Sequence, residues 1–220
     1  MATEDLGPLP AGRHGYSREQ VAHHQRERLI AGLAVAVAAK GYAAVTLADI
    51  TREAKVSRRV FYENFEGKEE CFLAAFQVVV AHLRELIDDA VEEAADWPHE
   101  AIAATRAVLG FFASEPDLAR LCLVESRSAG PAVAARFNEA VGGLKPLLAG
   151  GRVERPSEKE RPLPASTEDS VLGSLVSLVF RKVAAGEADR LGDLLPECSE
   201  FVLAPYLGAD EASRLAGSAT

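Results

Sequence analysis

The chain of 220 residues has almost no strand vocabulary. Alternating runs of Val, Ile, Thr and Tyr bounded by turns are missing. Helical periodicity runs through most of the sequence instead, so the fold class read here is all-α. Long apolar runs are missing too. The longest, Leu29 to Ala39, has 11 residues, against the ~20 that a membrane span needs, so a soluble protein with no membrane partner is expected. Residues 1–16 hold no apolar block between a basic start and a small-residue cleavage site. No secretory signal is read there, and a cytoplasmic location is expected. Cysteine is scarce: Cys71, Cys122 and Cys198 are odd in number, widely spaced and set in apolar helical contexts. They read as reduced core residues. No Cys/His cluster has zinc spacing. No Gly-rich phosphate loop or nucleophile motif occurs. His23 and His24 are adjacent and point apart on a helix, and Asp88-Asp89 with Glu92-Glu93 read as a solvated helix end. No metal, cofactor or enzymatic activity is therefore expected.

Charge is what the chain does have, and it is unevenly spread. The net charge is −9, which taken alone disfavours nucleic acid. Residues 1–72 balance ten basic against ten acidic groups, so the whole −9 belongs to residues 73–220. Within the first part, Arg52, Lys55, Arg58 and Arg59 oppose Glu53 alone, a local +3. A small basic face on an acidic protein fits a DNA reader attached to a larger acidic module.

Punctuation divides the chain. Residues 1–16, rich in Gly and Pro, are expected to form a mobile arm. Ser17-x-x-Gln20 is a capping box that opens a helix over about 18–40, ended by Gly41. Thr46-x-x-Asp49 opens a short helix over 47–54, and Ser57 caps another that runs to Phe65. Gly67 breaks the chain before a long helix over 68–95, with Phe72, Phe76, Val79, Val80, Leu83 and Ile87 on its buried side. Further helices are expected over 99–114, after the break at Trp97-Pro98, and over 116–127 and 131–148. Residues 150–165 read as a surface loop. A fourth capping box, Ser166-x-x-Asp169, opens a helix capped by Gly186, and a last stretch covers 188–207 with a restart at Pro196. Residues 209–220 read as a frayed tail.

Two short helices joined by a tight turn match a helix-turn-helix. Ile50, Ala54, Val56, Phe61 and Phe65 can pack the pair on itself and on the first helix. That leaves Ser57, Arg58, Arg59, Val60, Tyr62 and Glu63 outward, so the second helix can lie in a major groove. Arg58 and Arg59 suit bidentate pairing with guanine, and Val60 suits a thymine methyl. Thr46, Ser57 and Tyr62 supply hydroxyls for phosphates, and Lys68 supplies a cation at the start of the long helix.

The residues Gly41-Tyr42, Val45-Thr46-Leu47, Asp49-Ile50, Ala54-Lys55-Val56-Ser57, Phe61-Tyr62, Phe65 and Lys68-Glu69 resemble the DNA-binding segment of the TetR family of bacterial transcriptional regulators. The resemblance covers roughly residues 24–72, and the phrase Leu203-Ala204-Pro205-Tyr206-Leu207-Gly208 is also similar to such regulators. It implies a homodimer with a three-helix DNA-binding domain (17–67) and a helical domain (68–208) that binds a small inducer and dimerises. It further implies a repressor that binds an operator and releases it on ligand binding. Lys55 stands where the family usually has Gly, and Asn64 where it often has His. A left-handed conformation at Lys55 would cost about 1–2 kcal/mol.

The C-terminal part offers Phe76, Leu83, Phe112, Phe137 and Phe180, with Arg127 as a polar anchor, as candidates to line a pocket for a lipophilic inducer. In residues 171–180 apolar side chains go nearly all round the helix, which must then be buried on two sides. Gly173, Ser174 and Ser177 would let two such helices approach, and Phe201 and Tyr206 would extend the dimer surface. A dimer would place two recognition helices about one DNA turn apart on a palindromic double-stranded operator. The rival readings are a scaffold that has lost operator binding and sequesters a ligand, an enzyme on a helical bundle, and an activator or ligand-free regulator.

Overall fold

A computed structural model describes residues 17–154 and 162–218. The expected arm and the centre of the expected loop lie outside the described residues. Every regular element among those described is helical, as the missing strand signals required.

Helix α1 (Arg18–Lys40) starts on the Ser17 capping box and ends at Gly41, whose φ is 75°. Its inward side chains Leu29, Leu33 and Val37 are fully buried. Helix α2 (Leu47–Glu53) crosses it at Gly32. A Cβ on Gly32 would stand 2.6 Å from the Ala54 amide nitrogen and 2.9 Å from the Ile50 carbonyl, so only glycine permits this approach. Helix α3 (Arg58–Asn64) follows after a tight turn and is capped by Ser57, whose Oγ accepts from the Val60 amide. Phe61 and Phe65 turn into the common core.

Helix α4 (Lys68–Glu92) carries that core into the rest of the molecule, and α5 (Trp97–Ser114) packs along it. The expected break at Trp97-Pro98 is the first turn of α5. Asp96 caps it, and Pro98 sits where its missing N–H costs nothing. Residues 116–127 change gauge twice: α6 (Pro116–Ala119), a π-helical turn (Arg120–Val124) and a 3₁₀ turn (Glu125–Arg127). Then come α7 (Pro131–Gly142), α8 (Lys145–Ala149), α9 (Gly151–Glu154) and α10 (Thr167–Ala184). A 3₁₀ stretch (Ala188–Leu194) leads into α11 (Leu195–Leu207) and α12 (Ala209–Gly217).

Three expectations need correction. Ser166 makes no capping bond; Thr167 Oγ1 donates to the Pro164 carbonyl, and Asp169 pairs with Lys145 at 2.5 Å. The expected loop begins with a helical turn, in which Arg152 grips Glu168. The tail is no frayed end through Gly217: Ala212, Leu215 and Ala216 share one helix face and are buried against α11. Their i, i+3, i+4 spacing was the overlooked signal.

Candidate nucleic-acid interface and apolar cavity

The reading head is built on charge pairs and backbone bonds. Thr46 and Asp49 form the reciprocal box that starts α2. Hydrogen bonding to Lys40, at 2.6 Å, and then to Thr46 holds the Asp49 carboxyl well below the usual carboxylate range. Arg52 turns back to Asp49 and Glu53, so it is withdrawn from the basic patch. The turn closes with the Val56 amide on the Thr51 carbonyl and the Lys55 amide on that of Arg52. This is a Schellman arrangement, which needs a left-handed residue. That residue is Lys55, with φ 53°, and no other non-glycine among the described residues has a positive φ. Arg28, buried in α1, donates to the Lys55 carbonyl at 2.9 Å. Arg26 donates to the Asn64 carbonyl and lies 4.4 Å over the Phe65 ring. Helix α1 thus grips α3 on both sides, at the turn before it and at its last residue.

Outward from this frame stand Lys55, Ser57, Arg58, Arg59 and Tyr62. Arg59 is 88% exposed and pairs with Glu63 at 2.8 Å, a contact worth little in water. Among the described residues Arg58 has no hydrogen bond or ion pair. Tyr62 is 59% exposed, with its ring edge-on to Phe61. Val60 departs from expectation: it is half-buried against the core, so only part of it faces out. Thr46 is exposed, but its hydroxyl already donates to Asp49. Lys68 is turned inward. Its Nζ donates to the Tyr42 and Val45 carbonyls at 3.0 and 3.1 Å and sits 4.4 Å over the Tyr42 ring. Periodicity could not show this, because those acceptors lie more than twenty residues away.

A cavity of about 470 Å³ opens between α4, α5, α7 and the π-helical turn. Phe76, Leu83, Phe112 and Phe137 are on its wall, and so are Cys122 and Leu123. Its charged residues are Arg84 and Asp88, both exposed. A second chamber of about 120 Å³ shares Ile87, Val108, Phe112, Leu144 and Val176 with the first and runs toward Leu172 and Val202. The lining is apolar within and charged at the rim. Arg127 and Phe180 are elsewhere: the Arg127 guanidinium stacks 4.0 Å over the Phe180 ring, and neither lines a chamber.

On α10, Gly173, Ser174 and Ser177 lie exposed, and on α11 Phe201 remains 45% exposed. Tyr206 does not join them. It is 1% exposed, donates to Glu168 and packs edge-on against Trp97. Among the described residues no group of acidic, His or Cys side chains could hold a metal ion. No described helix is long and apolar enough to cross a membrane.

Residues 29–75 match the family model described as bacterial regulatory proteins, tetR family. A search of curated protein sequences finds no match. Among solved structures, the fatty acid degradation regulator FadR from Bacillus halodurans is similar with a TM-score of 0.72 at 20% identity, covering 81% of this chain and 94% of that one. The regulator FadR from Bacillus subtilis, solved in complex with stearoyl-CoA, is similar with a TM-score of 0.71 at 18% identity, covering 81% and 98%. A TetR family regulator from Marinobacter aquaeolei VT8 follows with a TM-score of 0.66 at 17% identity, covering 85% and 97%. At these identities the structures establish the fold, and the similar proteins are described as transcription regulators. Residues 29–75 thus carry the helix-turn-helix segment that the tetR family model describes, and the chain has the all-helical fold of these similar structures.

Proposed function

We propose that the protein is a ligand-responsive repressor that binds a palindromic operator as a homodimer. The exposed face of α3 carries this reading: Arg58 and Arg59 extend from a helix whose other face is locked into the core. Laid in a major groove, the two guanidinium groups reach base edges, while Ser57 and Tyr62 reach the phosphates. Val60 contributes its outward half, and Thr46 and Lys68 act through the fold rather than by direct contact. The exposed stripe Gly173, Ser174 and Ser177, extended by Phe201, is the surface we assign to the partner copy. Its small residues admit a close helix approach, and a two-fold axis there matches the symmetry of a palindrome.

The ligand we assign to the cavity is a long-chain lipophilic molecule with a polar head at the Arg84–Asp88 rim. The apolar walls support this, and so does the stearoyl-CoA held by a regulator of the same fold. Filling the cavity favours a conformation that tilts or separates the recognition helices. Its leverage equals the ligand's differential affinity for the two conformations.

Selection of bound duplexes from a random pool, then titration of the winner at two salt concentrations, tests the proposal. The expected winner is an inverted repeat bound by two chains, released on addition of stearoyl-CoA. Arg58→Ala or Arg59→Ala should cost about 1–3 kcal/mol and relax preference at one base pair per half-site. Equal loss on all sequences would place that arginine at phosphate only. No enriched site would turn the assignment toward a ligand-sequestering protein.

A further inference from the structure

Glu125 belongs to the C-terminal domain, yet its carboxylate is turned away from the cavity and into the reading head. It is buried, and its Oε2 accepts from the backbone amide of Tyr42 at 2.8 Å. Gly41 lies beside it: a Cβ there would be 3.5 Å from both carboxylate oxygens, and φ at Gly41 is 75°. The Tyr42 ring packs edge-on against Phe72 at 5.1 Å, and its carbonyl is held by Lys68. Four residues on, Thr46 starts α2. The segment 41–46 that aims α2 and α3 is therefore fastened by Glu125 at one point and by Lys68 at two.

Glu125 also follows directly on the cavity wall. Cys122 and Leu123 line the cavity, and between Leu123 and Glu125 the backbone passes from a π-helical to a 3₁₀ turn. Wide and tight coils back to back lack a regular hydrogen-bond ladder, and such breaks mark hinges. The ion pair here is loose. Arg120 Nη2 reaches Glu125 Oε1 at 3.2 Å, and Arg120 Nε is buried with no partner among the described residues. At the far end of the domain, Arg152 instead clamps Glu168 with two bonds of 2.7 and 2.8 Å. The under-bonded junction is the one that touches both cavity and reading head.

The geometry points to Glu125 as a positioning residue for DNA reading, which holds segment 41–46 in place and passes displacements of the Cys122–Leu123 wall to it. The DNA part of this inference rests on the function proposed above; the backbone part does not. Hydrogen exchange on the full-length chain, with DNA titrations alongside, tests both. Glu125→Ala should speed exchange of the Tyr42 amide about tenfold or more, leave α10 and α11 unchanged, and weaken operator binding about fivefold or more. Glu125→Gln keeps an acceptor for the Tyr42 amide and should restore most of its protection. Leu123→Ala should alter exchange at Tyr42 in the wild type and add nothing in the Glu125→Ala background; Cys122→Ala serves if that variant does not fold. Unchanged exchange at Tyr42, or a rise spread evenly over the molecule, would overturn the positioning role. Additive effects of Leu123 and Glu125 would overturn the relay. A wild type that retains no duplex would sink the DNA reading, while exchange at Tyr42 still decides the latch.

Discussion

Lys55 carries backbone strain at the centre of the helix-turn-helix. Its φ of 53° brings the Cβ close to a carbonyl, at about 1–2 kcal/mol. Two turn bonds and the Arg28 donor hold the conformation regardless. Lys55→Gly should stabilise the protein by about 1 kcal/mol, since glycine's extra freedom in the unfolded chain returns part of the gain. The melting temperature should rise by about 2–4 °C; an unchanged or lower value would show the turn to be relaxed. Lys68 makes the opposite case. Because its ammonium serves two carbonyls of the α1–α2 connection, Lys68→Ala should destabilise by about 1–3 kcal/mol in a denaturant melt. Wild-type stability with weaker DNA binding at low salt would place Lys68 at a phosphate.

Between elements, one polar tie joins α9, α10 and α11. Arg152 grips Glu168 in a bidentate pair, and Tyr206 donates to the same carboxylate. The guanidinium holds the Glu168 carboxyl down at about 2. Burial, followed by the Glu168 charge, pushes the Tyr206 hydroxyl up. A carboxyl whose folded value lies below its ordinary 4.5 contributes stability that is complete above that pH. The contribution is lost as the pH falls toward 2. Asp49, held down by Lys40 and Thr46, acts in the same direction. Urea midpoints should be level from neutral pH to about 5 and then fall. Glu168→Gln should lower the neutral midpoint and flatten the acid limb; an unaltered limb would acquit the clamp. The short α9 turn is held by partners outside residues 150–165, Glu168 and the Trp97 ring, so no local pattern in that stretch announced it.

At the scale of the whole molecule, charge distribution bears on DNA binding. The reading head is close to neutral and the remainder is acidic, so bulk electrostatics repel DNA and the patch around α3 must act locally. One apolar core runs unbroken from Phe61 and Phe65 through α4 to Leu195 and Cys198. Motion in the C-terminal part therefore has a packed route to the head. The assigned dimer surface is testable by itself. Ser174→Arg with Phe201→Glu should leave the circular dichroism spectrum intact and shift sedimentation from dimer to monomer. A variant that still sediments as the wild type would move the interface elsewhere.

Local signals were enough for the class, the helix-turn-helix and three helix starts. Capping boxes, tight turns and aromatic spacing act within a few residues, and those short-range bonds form as the pattern says. The left-handed conformation at Lys55 was suggested only by the family resemblance, in which Gly usually stands at that position, and the backbone there has φ 53°. Of the six residues grouped from the sequence as pocket candidates, Phe76, Leu83, Phe112 and Phe137 line one cavity, and helical spacing had placed Phe76 and Leu83 on the buried side of α4. Tertiary structure decided where side chains go once distant elements meet. Lys68 bonds carbonyls in another helix connection. Arg127 stacks on Phe180 instead of entering the cavity. Tyr206 turns into a core with Trp97, and Glu125 faces Tyr42, 83 residues away. Each of these contacts needs a partner that periodicity cannot name, because the geometry that selects it exists only after α4 and its neighbours have packed.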